Sequence, residues 1–325
     1  MTGALAALLS RRLLLVTGKG GTGKTSIAAA LGVAAAREGV RTVVVELGSS
    51  DALAELLSEP DAGAPRAPAR EPVPVAENLF RLRLEPERAL EEYLELQLHV
   101  RLFARAIVGN AAFHAFLDAA PGWRELITLG KLWHLVSLED RAGQPRWPLL
   151  VVDAPATGHG LSLLSAPAVV IDAVRMGPLR RNTDRVQALV TDAARTLVLP
   201  VTLPEELPVK ETLELRARVR ELGVGLGPLI ANGVEPELAL PDAERALACA
   251  ARLPKGVAPS PLAEPQVVVA AARHRLTRNR LQREFLETLA RETGQPPFEL
   301  PWLACGVDGP EGVRALSAEL RGALA

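Results

Sequence analysis

Eight residues near the start of the chain, Gly18-Lys19-Gly20-Gly21-Thr22-Gly23-Lys24-Thr25, have the spacing of a loop that grips phosphate groups. Glycines let backbone N–H groups converge on phosphate oxygens without obstruction by Cβ atoms, and a helix opening near Thr25 aims its positive end at them. Lys24 supplies an ammonium for the β- and γ-phosphates. The Thr25 hydroxyl is a ligand for Mg²⁺, an ion that keeps water and phosphate oxygens in most of its other positions. The pattern therefore predicts binding of ATP and Mg²⁺ through Gly18, Gly20, Gly21, Thr22, Gly23, Lys24, Thr25 and Ser26. Lysine is otherwise scarce: of 37 basic residues only five are Lys, and two of those, Lys19 and Lys24, lie in this loop. A compact ammonium is needed at both places.

A second group stands apart in sequence. Asp153 ends the apolar run 149–152, and a carboxylate at the end of a buried strand is costly unless a cation sits close by. Thr25 and Asp153 are thus the expected metal-binding pair, although Asp153 also suits the cap of a following helix.

These residues need a frame. Residues 13–17 form a short apolar run, 25–37 an Ala-rich helical stretch stopped by Gly39, and 42–46 a β-branched run, which together read as a β-α-β unit with doubly buried, parallel strands. Further strands are expected at 78–84, 149–152, 195–203 and 228–231, the last three each followed by a helix. The stretch 58–77, rich in Pro, Ala and Arg, reads as a surface loop. Residues 86–138 are helical throughout, with apolar positions including Leu90, Leu94, Leu102, Phe103, Ile107, Phe113, Phe116, Leu117, Leu126, Leu129, Leu132 and Trp133. The expectation is one α/β domain over residues 1–325, a doubly wound, mostly parallel sheet, with an all-α insertion at about 86–140 and a smaller helical segment at about 166–193.

With its second lysine, Lys19, the phosphate loop resembles the deviant Walker A of the P-loop NTPases that include partition ATPases, septum-site ATPases and the nitrogenase iron protein. More narrowly, the chain resembles the family of the arsenical-pump ATPase and the ATPase that targets tail-anchored membrane proteins. Asp153-Ala154-Pro155-Ala156-Thr157-Gly158-His159-Gly160 is similar to that family's switch, Pro204-Glu205-Glu206 through Lys210-Glu211-Thr212 to its Pro-Glu segment, and Ala231-Asn232-Gly233 to its adenine-reading segment. Leu300-Pro301 to Gly309 resembles its late loop beside the nucleotide. The resemblance implies a homodimer closed by nucleotide, with Lys19 reaching the partner's ATP, Asp153 organising Mg²⁺ through water, Glu205 near the opposing nucleotide, Asn232 hydrogen-bonding the adenine, and Pro301 in the loop beside the nucleotide. Asn232 also suits a simple turn.

The sequence departs from that family after the second strand. An aspartate that orients the attacking water is usual there, whereas this chain reads Glu46-Leu47-Gly48-Ser49-Ser50-Asp51, with Gly48 in the aspartate's position. Glu46 or Asp51 could orient the water instead, because in phosphoryl transfer the protein mainly positions and neutralises. Asp51 equally suits a helix N-cap. The family's cysteine trio and its Cys-x-x-Cys pair are both absent. The expected function is an ATP-hydrolysing dimeric switch coupled to a client or partner protein, with Lys19, Lys24, Asp51 and Asp153 as its catalytic set. One alternative is a nucleotide-gated assembly factor with little turnover. Another is a positioning ATPase of the partition or septum-site kind, which would need a basic surface or a membrane-seeking tail.

Composition narrows the field. A net charge of −1 and the lack of a basic run argue against nucleic acid as a partner. Cys249 and Cys305 are too far apart in sequence for a thiolate zinc site, and His99, His114, His134, His159 and His274 show no ligand spacing. The first ten residues are apolar but lack a basic leader and a cleavage site, and no apolar run is long enough to span a bilayer. A cytoplasmic protein with at most peripheral membrane contact is expected. The helical insertion is the expected specificity element, either as an apolar groove for a hydrophobic client segment or as helices that bury their apolar faces on one another.

Overall fold

The computed structural model of the chain describes residues 3–48, 50–58, 70–98, 122–236, 248 and 265–325. Leu102, Phe103, Ile107, Phe113, Phe116 and Leu117 of the expected insertion lie outside the described residues, as do His99, His114, Cys249 and most of the Pro-rich stretch. The described elements are α1 (Ala4–Leu9), β1 (Leu13–Thr17), α2 (Lys24–Arg37), β2 (Thr42–Leu47), α3 (Ala52–Leu57), β3 (Val73–Ala76), β4 (Leu79–Leu84), α4 (Pro86–Leu98), α5 (Trp123–Ser137) and β5 (Leu149–Asp153). After these come α6 (Thr157–Ala173), α7 (Pro178–Thr191), β6 (Thr196–Thr202), α8 (Glu206–Glu221), β7 (Ile230–Val234), α9 (Pro265–Thr293), β8 (Phe298–Pro301) and α10 (Pro310–Leu324).

The strands make one sheet in the order β3-β4-β2-β5-β1-β6-β7-β8. Every neighbouring pair is parallel except β3–β4. Successive side chains on a strand point to opposite faces, and both faces are covered by helices. Leu14 and Val16 of β1 join Val44, Val151, Leu199 and Val201 on one face, under Leu5, Leu31, Leu53 and Leu316 from α1, α2, α3 and α10. Leu13 and Leu15 join Val43, Val45, Leu150, Val152 and Val198 on the other, against Leu132, Leu163, Leu189 and Leu215 from α5, α6, α7 and α8. Two cores on one sheet explain why the central strands are apolar runs rather than alternating ones.

The strand order reverses at β1, which lies between β5 and β6, so the carboxyl end of β1 opens at the crevice where doubly wound sheets bind ligands. The doubly wound, mostly parallel α/β architecture expected from the sequence is present.

Local differences have physical reasons. The stretch expected to be loop at 58–77 contains β3, whose Pro74 is tolerated because β3 is an edge strand paired antiparallel to β4 alone. The segment expected at about 166–193 is two helices: α6 starts nine residues earlier, directly after the Asp153 loop, and the chain breaks at Gly177, in the left-handed region at φ 110°, before Pro178 opens α7. The strand expected at 228–231 runs later, as β7, and Leu300 and Pro301 lie in strand β8 rather than in a loop. Among the described residues no helix is long and apolar enough to cross a membrane.

Candidate functional site

The phosphate loop leaves β1 at Gly18 and enters α2 at Lys24. A Cβ at Gly18 would lie 2.0 Å from the Val201 carbonyl oxygen of the neighbouring strand, so only glycine allows the turn away from the sheet. Gly23 is left-handed at φ 86°, and a Cβ there would lie 2.4 Å from Asn232 Nδ2. That amide donates a hydrogen bond to the Thr22 carbonyl at 2.9 Å, so β7 braces the loop from the side. Inside the loop the Lys19 carbonyl accepts from Thr22 Oγ1 at 2.9 Å and from Lys24 Nζ at 3.0 Å. Burial pulls the Lys24 ammonium below its ordinary pKa, and the nearby Asp153 carboxylate works against that shift.

Asp153 closes β5, and its Oδ2 accepts a hydrogen bond from Thr25 Oγ1 at 2.6 Å. Its Oδ1 is buried with no hydrogen-bond partner in the described structure. Burial raises the Asp153 pKa from 3.8 to about 6; the Thr25 hydrogen bond and Lys24 oppose the rise, and Glu46 adds to it. A buried carboxylate with one unsatisfied oxygen beside a hydroxyl is a donor set of hard oxygens, which suits Mg²⁺. The segment after Asp153 rests on the phosphate loop: the Thr157 N–H donates to the Gly18 carbonyl at 3.2 Å, and Thr17 Oγ1 donates to the Pro155 carbonyl at 3.2 Å.

Glu46 pairs with Asp153 in the β2–β5 register and is 4% exposed. Its two carboxylate oxygens accept from the backbone N–H groups of Ala52 (3.2 Å) and Leu53 (3.4 Å), so Glu46 supplies the N-terminal partners of α3. Asp51 holds the N-cap position without making a side-chain cap. It lies instead 3.7 Å from both Arg81 and Arg83 of β4, with an Oδ1 that has no hydrogen-bond partner among the described residues.

The sequence-predicted residues therefore divide. Gly18 to Ser26, Asp153 and Asn232 meet at the carboxyl ends of β1, β5 and β7. Asn232 reaches the loop backbone. Glu205 is exposed at the start of α8, 3.8 Å from Arg278. Pro301 pairs with Val234, and the next residue, Trp302, donates its N–H to the Val234 carbonyl. Trp302 is 57% exposed beside Gly233, and the Arg278 guanidinium lies 5.9 Å from its ring centroid. Two contributions are not marked by the motif spacing: the capping carboxylate of Glu46, and Glu211, which takes the Lys19 ammonium at 2.5 Å. The only sequence sign of the second is an acidic residue inside the Pro-Glu segment.

Comparison with known proteins gives the chain a family. A model of the anion-transporting ATPase family matches residues 11–182, which include the phosphate loop, Glu46 and Asp153. The chain is 33% identical over 225 residues to the ATPase BagA of Mycobacterium tuberculosis, covering 68% of this chain and 64% of that protein. It is 29% identical over 247 residues to a putative arsenical pump-driving ATPase of Halobacterium salinarum (70% of this chain, 36% of that one). It is 26% identical over 272 residues to the ATPase GET3B of Arabidopsis thaliana (70% and 65%). The chain thus spans less than two thirds of the length of these relatives. With more than half of its residues matched by the family model and the loop, Glu46 and Asp153 all inside the match, the chain belongs to the anion-transporting ATPase family.

Proposed function

We propose that the protein binds and hydrolyses ATP with Mg²⁺ and works in the cytoplasm as a homodimer that nucleotide closes, coupling its nucleotide state to a client or partner protein. The observation that carries this reading is the buried Asp153 carboxylate, one oxygen on Thr25 and the other unsatisfied, facing the Lys24 end of the phosphate loop. Thr25 and, through water, Asp153 would hold the Mg²⁺, which when bound neutralises phosphate charge. Loop N–H groups and Lys24 orient the phosphates, and Asn232 keeps the loop in its gripping shape. Lys19 reaches a second subunit's nucleotide, and Glu205 and Pro301 border the nucleotide site. The insertion at about 86–140 carries the client contact, a hydrophobic segment being the fitting class.

Isothermal calorimetry with ATP in Mg²⁺ and light scattering of the same samples test the reading together. Lys19→Ala is expected to bind ATP within about threefold of wild type and to lose at least about tenfold in ATP-dependent dimerisation, because a charge-assisted contact to phosphate is removed only from the dimer. Equal dimerisation by the two proteins would sink the assignment of Lys19.

Asp51 is the carboxylate we assign to the attacking water, because both oxygens of Glu46 are already taken by helix N–H groups. Asp51→Ala is expected to slow ATP turnover at least about tenfold. It also removes the carboxylate between two mostly buried arginines, which costs about 2 kcal/mol in urea unfolding. A second reading, a nucleotide-gated assembly factor with little turnover, is favoured by Gly48 in the place of an aspartate. Steady-state turnover separates them: a wild-type rate no faster than that of Lys24→Ala selects the second, whereas equal and faster rates for wild type and Asp51→Ala remove only the assignment of Asp51.

A further inference from the structure

We infer that Glu211 is a positioning residue that holds Lys19 against its own subunit until nucleotide and a second copy of the chain draw it away; this rests on the homodimer reading above. Lys19 Nζ and Glu211 Oε1 are 2.5 Å apart, with the two side chains 30% and 37% exposed. The other oxygen of Glu211 accepts from Thr157 Oγ1 at 3.5 Å. Thr157 is the first residue of α6 and donates its backbone N–H to the Gly18 carbonyl. One carboxylate on α8, 192 positions from Lys19 in the chain, therefore ties together the loop lysine and the start of the segment that follows Asp153.

The geometry has a direct consequence for charge. An ammonium bound to Glu211 points toward α8, so it cannot also reach the phosphates of another subunit. A partly solvated pair of this kind is weak enough to open reversibly, and shifts an equilibrium by a factor of about five. Glu211 thus sets the nucleotide concentration at which two subunits close, without itself touching the phosphates of its own subunit.

The test uses the full chain and Glu211→Gln, which keeps the shape of the side chain and removes its charge. With five lysines in the sequence, ¹⁵N-lysine spectra of the nucleotide-free protein resolve Lys19 by its loss in Lys19→Ala. The Lys19 resonance is expected to move in Glu211→Gln, and the Mg·ATP concentration for half-maximal dimer, read by light scattering, is expected to fall about fivefold. In a Lys19→Ala background the same substitution is expected to change that midpoint less than twofold, since the effect passes through Lys19. An unmoved resonance, an unmoved midpoint, or an equal fall in the Lys19→Ala background overturns the inference. A wild-type chain that binds Mg·ATP without dimerising overturns the homodimer reading, whereas an unmoved resonance strikes only at Glu211.

Discussion

Lys24→Ala is expected to raise the dissociation constant for ATP at least about a hundredfold, measured by calorimetry in Mg²⁺, while leaving the melting temperature of the nucleotide-free protein within a few degrees of wild type. The ammonium is half-buried and donates only to the Lys19 carbonyl among the described contacts, so removing it costs the folded chain one hydrogen bond. Burial already disfavours its charge, which offsets that loss. Toward a triphosphate the balance changes. Two charge-assisted bonds at roughly 1.5–3 kcal/mol each disappear, and Asp153 loses the cation that lowers its pKa, so about 3–5 kcal/mol, or about two to four decades of affinity, is at stake. Binding by Lys24→Ala within threefold of wild type would remove the basis for placing the phosphates in this loop.

The parts of the site that could be read from the sequence are those whose causes are local. The loop from Gly18 to Thr25 is written in contiguous residues, because the turn needs glycine where Val201 and Asn232 press against it. Asp153 was legible because four apolar residues precede it, and a charge at the end of such a run must be compensated. The doubly buried strands were legible for the same reason.

What remained hidden depends on contacts between distant segments. Nothing near Lys19 in sequence announces Glu211, and the pair exists only because β1 and β6 are adjacent in the sheet and α8 follows β6. Asp51 has the spacing of an N-cap, yet Arg81 and Arg83 of β4 draw its carboxylate aside and Glu46 takes over the helix N–H groups. Those arginines share a face of β4 because they are two residues apart, a fact that matters only once β4 pairs with β2. The edge strand β3 escaped because Pro74, and Pro72 just before it, are turn signals in any window. Only its place at the sheet edge makes them harmless.

Asp153→Asn is expected to have opposite effects on the empty and the loaded protein, and this is the sharper test of the metal assignment. The folded-state pKa of Asp153, about 6, lies above its ordinary value of 3.8, so between these values the folded protein holds a proton that the unfolded chain has released. Stability of the nucleotide-free protein must then fall as pH rises from about 4 to about 6, and level off above. A shift of about two pKa units corresponds to about 3 kcal/mol. The asparagine cannot ionise, so urea unfolding of Asp153→Asn is expected to lose this slope and to show higher stability than wild type at pH 7. Toward Mg·ATP the same change removes the charge that the metal-bound water needs, and calorimetry is expected to give affinities for ATP that no longer respond to Mg²⁺. A variant that kept both the pH slope and the Mg²⁺ response would show that the buried carboxylate at the end of β5 is not the group that answers to the cation. A structural cap alone predicts neither change, because asparagine caps a helix about as well as aspartate and would leave the metal response untouched.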